Sequence, residues 1–182
     1  MGKKQYKKLD PDTMREVTNF VIDRYQEEQE KQRRTMYDRR LRNTKLLLRN
    51  YRELLAHSES AIYEAAAIQD EDVYDILEMM TGGHYADYYV ESIKKSAART
   101  RIIIEHVKEM LTLYEIYCFR STKPEDKRRY RVVYAIYIDE TPRTAAQIAL
   151  DENVDERTIY RDIDSACEKL SALIFGIDGL KR

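Results

Sequence analysis

Glycine and proline are nearly missing from this chain, and their placement dictates its fold class. Neither occurs from residue 12 to residue 81, nor from residue 84 to residue 123. Beyond that come only Pro124, Pro142, Gly176 and Gly179. Both residues punctuate helices, because proline lacks the amide hydrogen and glycine costs backbone entropy. Alternating β-branched runs, the mark of half-buried strands, are missing too. The expectation is an all-α chain built on long helices.

The first helix is expected to open near Pro11 or Asp12, since proline fits a first turn whose amide needs no partner. Met14, Val17, Phe20, Val21 and Tyr25 form an apolar stripe that fades through the polar residues 27–34 (EEQEKQRR). It resumes at Leu41, Thr44, Leu48, Tyr51 and Leu55, the 3-4 spacing of a helix-packing seam. Either one helix of ~45 residues or two with a break near residues 27–36 satisfies this pattern. Shorter helices are expected around Ala61–Ile68 and Val73–Met80, then a turn at residues 81–84 (TGGH). A second long helix is expected from about Tyr85 to Tyr117, with a seam at Ile103, Val107, Met110, Tyr114 and Tyr117. The two seams pack on each other or on copies from a second chain, and in the latter case the long helices join a homodimer. Residues 121–126 (STKPED) read as a boundary. The chain then divides into a basic tail (1–10), a long-helix region (11–120) and a C-terminal domain (121–182).

The net charge is −1, which by itself argues against a nucleic-acid partner, but the charge is unevenly spread. Residues 1–58 carry a net +6, residues 59–122 a net −6 and residues 123–182 a net −1. Either the basic and acidic segments neutralise each other inside the fold, or different surfaces meet different partners. Cys118 and Cys167 are the only cysteines, neither a disulfide framework nor a metal spacing, so a reducing, cytoplasmic setting is expected. The basic start is followed by no apolar segment of the secretory kind. No apolar run approaches the ~20 residues that cross a bilayer. Tyrosine occurs 15 times and tryptophan never. Tyrosine covers a core with its ring while its hydroxyl stays wet, which suits thin helical assemblies.

The C-terminal residues carry the most specific signal. Pro124 opens a helix with Tyr130, Val133, Tyr134 and Tyr137 expected inward, broken at Pro142. Thr144 then caps a short helix, and Gln147 three residues on completes a capping box. Asp155 is an N-cap candidate for a third helix ending before Gly176. Between them, small Ala149 suits a close helix crossing, Asn153 suits a left-handed turn, Val154 plugs that turn, and Ile159 and Ile163 lie one turn apart on the buried face. This is the spacing of a helix-turn-helix; a generic helical hairpin rarely combines these positions with both caps. In that register Glu156, Arg157, Tyr160, Arg161 and Asp164 point outward with Thr158 at the rim, and the start of the third helix would enter a major groove. Arg157 and Arg161 suit guanine or phosphate; Thr158 and Tyr160 suit phosphate or a thymine methyl. The bland reading is a solvated face of Glu–Arg pairs. Glu156, Asp162 and Asp164 keep this helix from being strongly basic, so phosphate affinity is sought in Lys127, Arg128, Arg129, Arg131 and Arg143 with Thr144. Those charges are otherwise plain surface.

Residues 124–180 (PEDKRRYRVV to FGIDGL) resemble the fourth conserved region of bacterial sigma factors and phage or prophage regulators of the ArpU and RinA kind. Residues 37–54 (YDRRLRNTKLLLRNYREL) are similar to the helical N-terminal part of such small proteins. The resemblance implies a DNA-binding transcription regulator with Arg157, Thr158, Tyr160 and Arg161 on the reading helix. Nothing matches the sigma segment that melts promoters. The expected partner is double-stranded DNA, and a dimer would read half-sites about one turn, ~34 Å, apart. The alternatives are a module docking on RNA polymerase or another bacterial factor through Arg39, Arg40, Arg42, Lys45, Arg49 and Arg52, or a DNA-recognition subunit of phage packaging. The same basic run otherwise pairs with the acidic middle segment. The tail residues 3–8 (KKQYKK) are a DNA arm or a disordered end, and residues 69–75 (QDEDVYD) a basic-partner site or a solvated helix start. His57, His84 and His106 are scattered, no phosphate loop or GxSxG motif occurs, and no metal, cofactor or enzyme activity is expected.

Overall fold

The computed structural model describes residues 10–60, 73–82 and 97–176, and among these the protein is all-α. Its helices are α1 (Pro11–Arg49), α2 (Tyr51–Ser60), α3 (Val73–Gly82), α4 (Ala97–Arg120), α5 (Pro124–Val133), α6 (Ala145–Asp151) and α7 (Glu156–Phe175). The chain forms two compact units, Met1–Met36 and Tyr37–Arg182.

In the first unit, Asp10 caps α1: its carboxylate accepts from the amides of Asp12 (3.0 Å) and Thr13 (2.9 Å) and from the Thr13 hydroxyl. Those bonds hold the Asp10 carboxyl below its ordinary value. Helix α1 runs unbroken through residues 27–36, so the one-helix reading holds there. It ends at Arg49, where the Asn50 side chain donates to the Leu46 carbonyl (2.8 Å) and α2 begins. The stripe residues Met14, Val17, Phe20, Val21 and Tyr25 are all more than half exposed.

The second unit has one continuous core. Leu47, Leu48, Tyr51 and Leu54 meet Ile76, Leu77 and Met80 of α3 and Ile103, Ile104, Val107 and Tyr114 of α4. The α2 end of the first predicted seam therefore packs on the α4 seam. Each fully buried aliphatic side chain there contributes ~1.5–3 kcal/mol. The core continues through Cys118, Val132, Val133 and Ala135 to Ile159, Ala166, Cys167, Leu170 and Ile174 of α7. Both thiols are buried, and burial pushes Cys167 up to about 11. Inside this core Asn43 donates to the Met80 carbonyl (2.8 Å), and His106 Nε2 lies 3.0 Å from the Ile174 carbonyl.

Several expectations are corrected. Residues 121–126 do not separate two bodies: Tyr130 of α5 packs on Tyr114 (6.3 Å) and Phe119 (5.9 Å) of α4 across them, and the Ser121 hydroxyl donates to Asp126 (2.6 Å). Tyr117 and Tyr134 are half exposed rather than inward. After Val133 the bonding of α5 widens to a π-helical turn, Tyr134–Ile138, with the Asp139 amide reaching the Tyr134 carbonyl (2.9 Å). The Tyr134 amide itself still reaches the Tyr130 carbonyl, and the buried arc falls on Val132, Val133 and Ala135, which leaves Tyr134 outward. Helix α3 continues through Thr81 and Gly82, where a turn was expected. The expected helix 61–68, the start of the second long helix, most of residues 69–75, residues 1–9 of the basic tail and His84 lie outside the described residues.

Candidate nucleic-acid interface

The geometry of residues 124–176 follows from local chemistry. The capping box at α6 forms in both directions: the Gln147 amide donates to Thr144 Oγ1 (3.3 Å) and the Thr144 amide to Gln147 Oε1 (2.9 Å). Helix α6 closes at Glu152, and Asn153 takes the left-handed conformation at φ 52°. Asparagine tolerates this region where branched residues do not. The reversal brings the Val154 amide to the Ala149 carbonyl (3.0 Å) and tucks the Val154 side chain half-buried against the core. Asp155 stands at the N-cap of α7 in extended conformation, but its carboxylate makes no capping bond; its carbonyl takes the Thr158 amide (2.8 Å) instead. Ala149, Ile159 and Ile163 are buried as the spacing requires.

The outer face of α7 is as expected: Glu156, Arg157, Tyr160, Arg161 and Asp164 are exposed and Thr158 is half-buried. The Tyr160 hydroxyl donates to Glu156 (3.1 Å), and the Glu156 carboxylate pushes the phenol up. Lys45 of α1 pairs with Asp164 at 2.8 Å. Among the described residues, neither Arg157 nor Arg161 makes an ion pair. Two unpaired guanidiniums one turn apart, with Tyr160 between them, can each present a two-donor fork to an acceptor pair.

The cations sought for phosphate are mostly engaged within the protein. Asp162, 3 % exposed, points inward, not outward, and accepts from Arg128 (2.6 Å) and Arg129 (3.3 Å). Arg129 also bonds Asp126 (2.8 Å). This network fixes α5 on α7. Arg131 grips Glu152 through two 2.7 Å bonds, which hold the Glu152 carboxyl below its ordinary value. Arg143 pairs with Asp151 (2.5 Å) while its amide reaches the Ala135 carbonyl (3.0 Å). Lys127 is half-buried without an ion pair among the described residues.

The basic run 39–52 turns toward the C-terminal helices as well, rather than to the acidic middle segment alone. Besides Lys45, Arg52 donates to the carbonyls of Ile136 (3.1 Å) and Asp139 (3.3 Å), and the Arg49 charge lies near the Tyr137 phenol. Sequence reasoning missed the inward Asp162. It lies three residues past Ile159, on the buried arc, and that spacing was the available signal. Leu150, 82 % exposed at the end of α6 beside the turn, was missed too.

Among the described residues, no His/Cys/Asp/Glu group could hold a metal ion and no helix is long and apolar enough to cross a membrane. A scan against protein-family models finds no match, and searches of curated proteins and of solved structures find no match either.

Proposed function

We propose that residues 144–164 form a helix-turn-helix that binds double-stranded DNA, with the first turns of α7 in the major groove, and that the protein is a transcription regulator. The phage or prophage setting comes from the resemblance alone. The observation that carries the reading is the left-handed Asn153 between a capping-box helix and a helix whose inner face is wholly buried, leaving Arg157 and Arg161 outward and without an ion pair among the described residues. Such a turn sets two helices at the angle that lets one lie in the groove while the other crosses the backbone. Arg157 and Arg161 are the base or phosphate contacts, with Tyr160 and Thr158 beside them.

Docking on RNA polymerase through the basic run is the weaker reading, because Lys45 and Arg52 bond within the protein. The test is selection from a random duplex library by the full chain, sequencing what is retained. An enriched motif that Arg157→Ala/Arg161→Ala loses, with an unchanged melting curve, is the expected result. Each lost bidentate contact is worth ~1–3 kcal/mol, roughly 5- to 150-fold. No enrichment, or equal enrichment by the variant, overturns it.

A further inference from the structure

Among the described residues, the first unit is the single helical stretch 11–36 preceded by its cap Asp10, and its apolar face is exposed. Met14 (58 %), Val17 (52 %) and Val21 (58 %) follow one another at 3-4 spacing, and Tyr25 (66 %) follows one turn later. Phe20 (61 %) and Ile22 (46 %) stand on the two shoulders of that seam. At about 100° per residue these six side chains span an arc of about 200°. Scattered exposed apolar residues are ordinary, but six on one arc of one helix are not.

Charge narrows what covers this face. Opposite the arc, residues 11–27 hold Asp12, Glu16, Asp23 and Glu27 against Arg15 alone. An acidic polar side repels DNA phosphates, and it lacks the lysine and arginine that bring amphipathic helices to anionic membranes. Arg24, the cation inside the arc, lies over the Phe20 ring at 5.5 Å and pairs with Glu27 at 3.4 Å. Its charge is thus partly balanced within the helix, and its stem can cover apolar surface. Six side chains of this kind, about half exposed, offer on the order of 600 Å² per copy. Phe20 and Ile22 stand about 200° apart, so one partner helix covers the seam and only part of its shoulders. A second copy paired face to face therefore buries less than about 1,200 Å², the range of a weak, reversible dimer.

We infer that the Met14–Tyr25 face is a self-association surface, covered by the same face of a second copy of this chain. An apolar stripe with a balanced cation at its edge is self-complementary, as a two-fold interface must be. The inference does not rest on DNA binding.

The test is the mass of the full chain at micromolar concentration, by sedimentation and light scattering, with Val17→Glu/Val21→Glu as the variant. Both positions are exposed, and glutamate is a better helix former than valine, so the variant leaves the core and the helix intact. The expected wild-type mass is a multiple of 21.7 kDa, falling to 21.7 kDa in the variant, while Gln26→Glu on the polar side changes nothing. A wild-type monomer overturns the inference. So does a variant that keeps the wild-type mass, or a monomeric wild type that phosphatidylcholine vesicles capture through this stripe.

Discussion

Replacing Asp162 by asparagine keeps its shape and removes its charge. In the native protein that carboxylate is 3 % exposed and lies between the guanidiniums of Arg128 and Arg129, whose side chains are 18 % and 32 % exposed. Removing one partner of a buried ion pair costs about 3–5 kcal/mol, because the other charge remains without compensation. Here the loss is smaller, since both arginines keep some water and Arg129 retains Asp126 at 2.8 Å. About 2–3 kcal/mol is the expected loss. For a chain of this size that lowers the melting temperature by about 4–12 °C. Urea titration followed by circular dichroism reads it as a shifted midpoint at unchanged slope. Asp162→Leu with Arg128→Met should recover most of the loss, because an apolar pair of similar volume removes both desolvated charges while Arg129 keeps Asp126. The reasoning fails if Asp162→Asn costs less than about 0.5 kcal/mol. It fails also if the variant binds DNA more tightly at unchanged stability, for then Arg128 is a phosphate contact that the aspartate restrains.

Three further outcomes follow from the same geometry. Asn153→Ala forces a β-carbon without a local polar group into φ 52° and should cost about 1 kcal/mol in urea titration, while Asn153→Gly stays within a few tenths. The Arg131 pair depresses the Glu152 carboxyl, so its stabilisation is complete above the ordinary glutamate value and is lost as pH falls through the lower folded value. Glu152→Gln should therefore flatten the acid limb of stability between about pH 5 and about pH 3, and an unchanged limb refutes the assignment. Cys167, buried and pushed up to about 11, should react with a thiol reagent at neutral pH only at the rate of unfolding. Fast labelling of the native protein would place that thiol at the surface.

What the residues disclosed in advance was local. The capping box at Thr144 and Gln147, the turn at Asn153 and the buried pair Ile159 and Ile163 each depend on neighbours within about one turn, so spacing reveals them. The seams of α1, α2 and α4 were legible for the same reason, though not what they would pack on. Tyr134 shows where the pattern misleads: it is in helical register with Tyr130, but the buried arc falls on Val132, Val133 and Ala135 and the tyrosine rings lie at its edge. Asp162 was hidden by its own letter, since a carboxylate reads as solvated until two arginines from another helix meet it. Lys45 and Asp164 stand 119 residues apart, and nothing local to either announces their contact. Nor could composition distinguish arginines that bond within the protein from those left outward.

That last distinction bears on how the proposed DNA binding would work. With Arg128, Arg129, Arg131 and Arg143 engaged, Lys127, Arg157, Arg161 and Lys169 are the cations of the C-terminal helices without an ion pair among the described residues, and Lys169 lies over the Tyr117 ring at 5.8 Å. Each neutralised phosphate contributes about −0.9 to the salt slope, so Lys127, Arg157 and Arg161 together would contribute no more than about −3. Base contacts from Arg157 and Arg161 would then supply a large share of the discrimination. A second copy joined through the Met14–Tyr25 face would raise the affinity without adding a contact type, because the second half-site is bound at high effective concentration. The two proposals therefore separate cleanly. Val17→Glu/Val21→Glu should lower affinity and flatten the salt slope while keeping the base preference, and Arg157→Ala/Arg161→Ala should erase the preference while keeping the mass. If the monomeric variant binds as tightly as the wild type, the pairing serves something other than DNA.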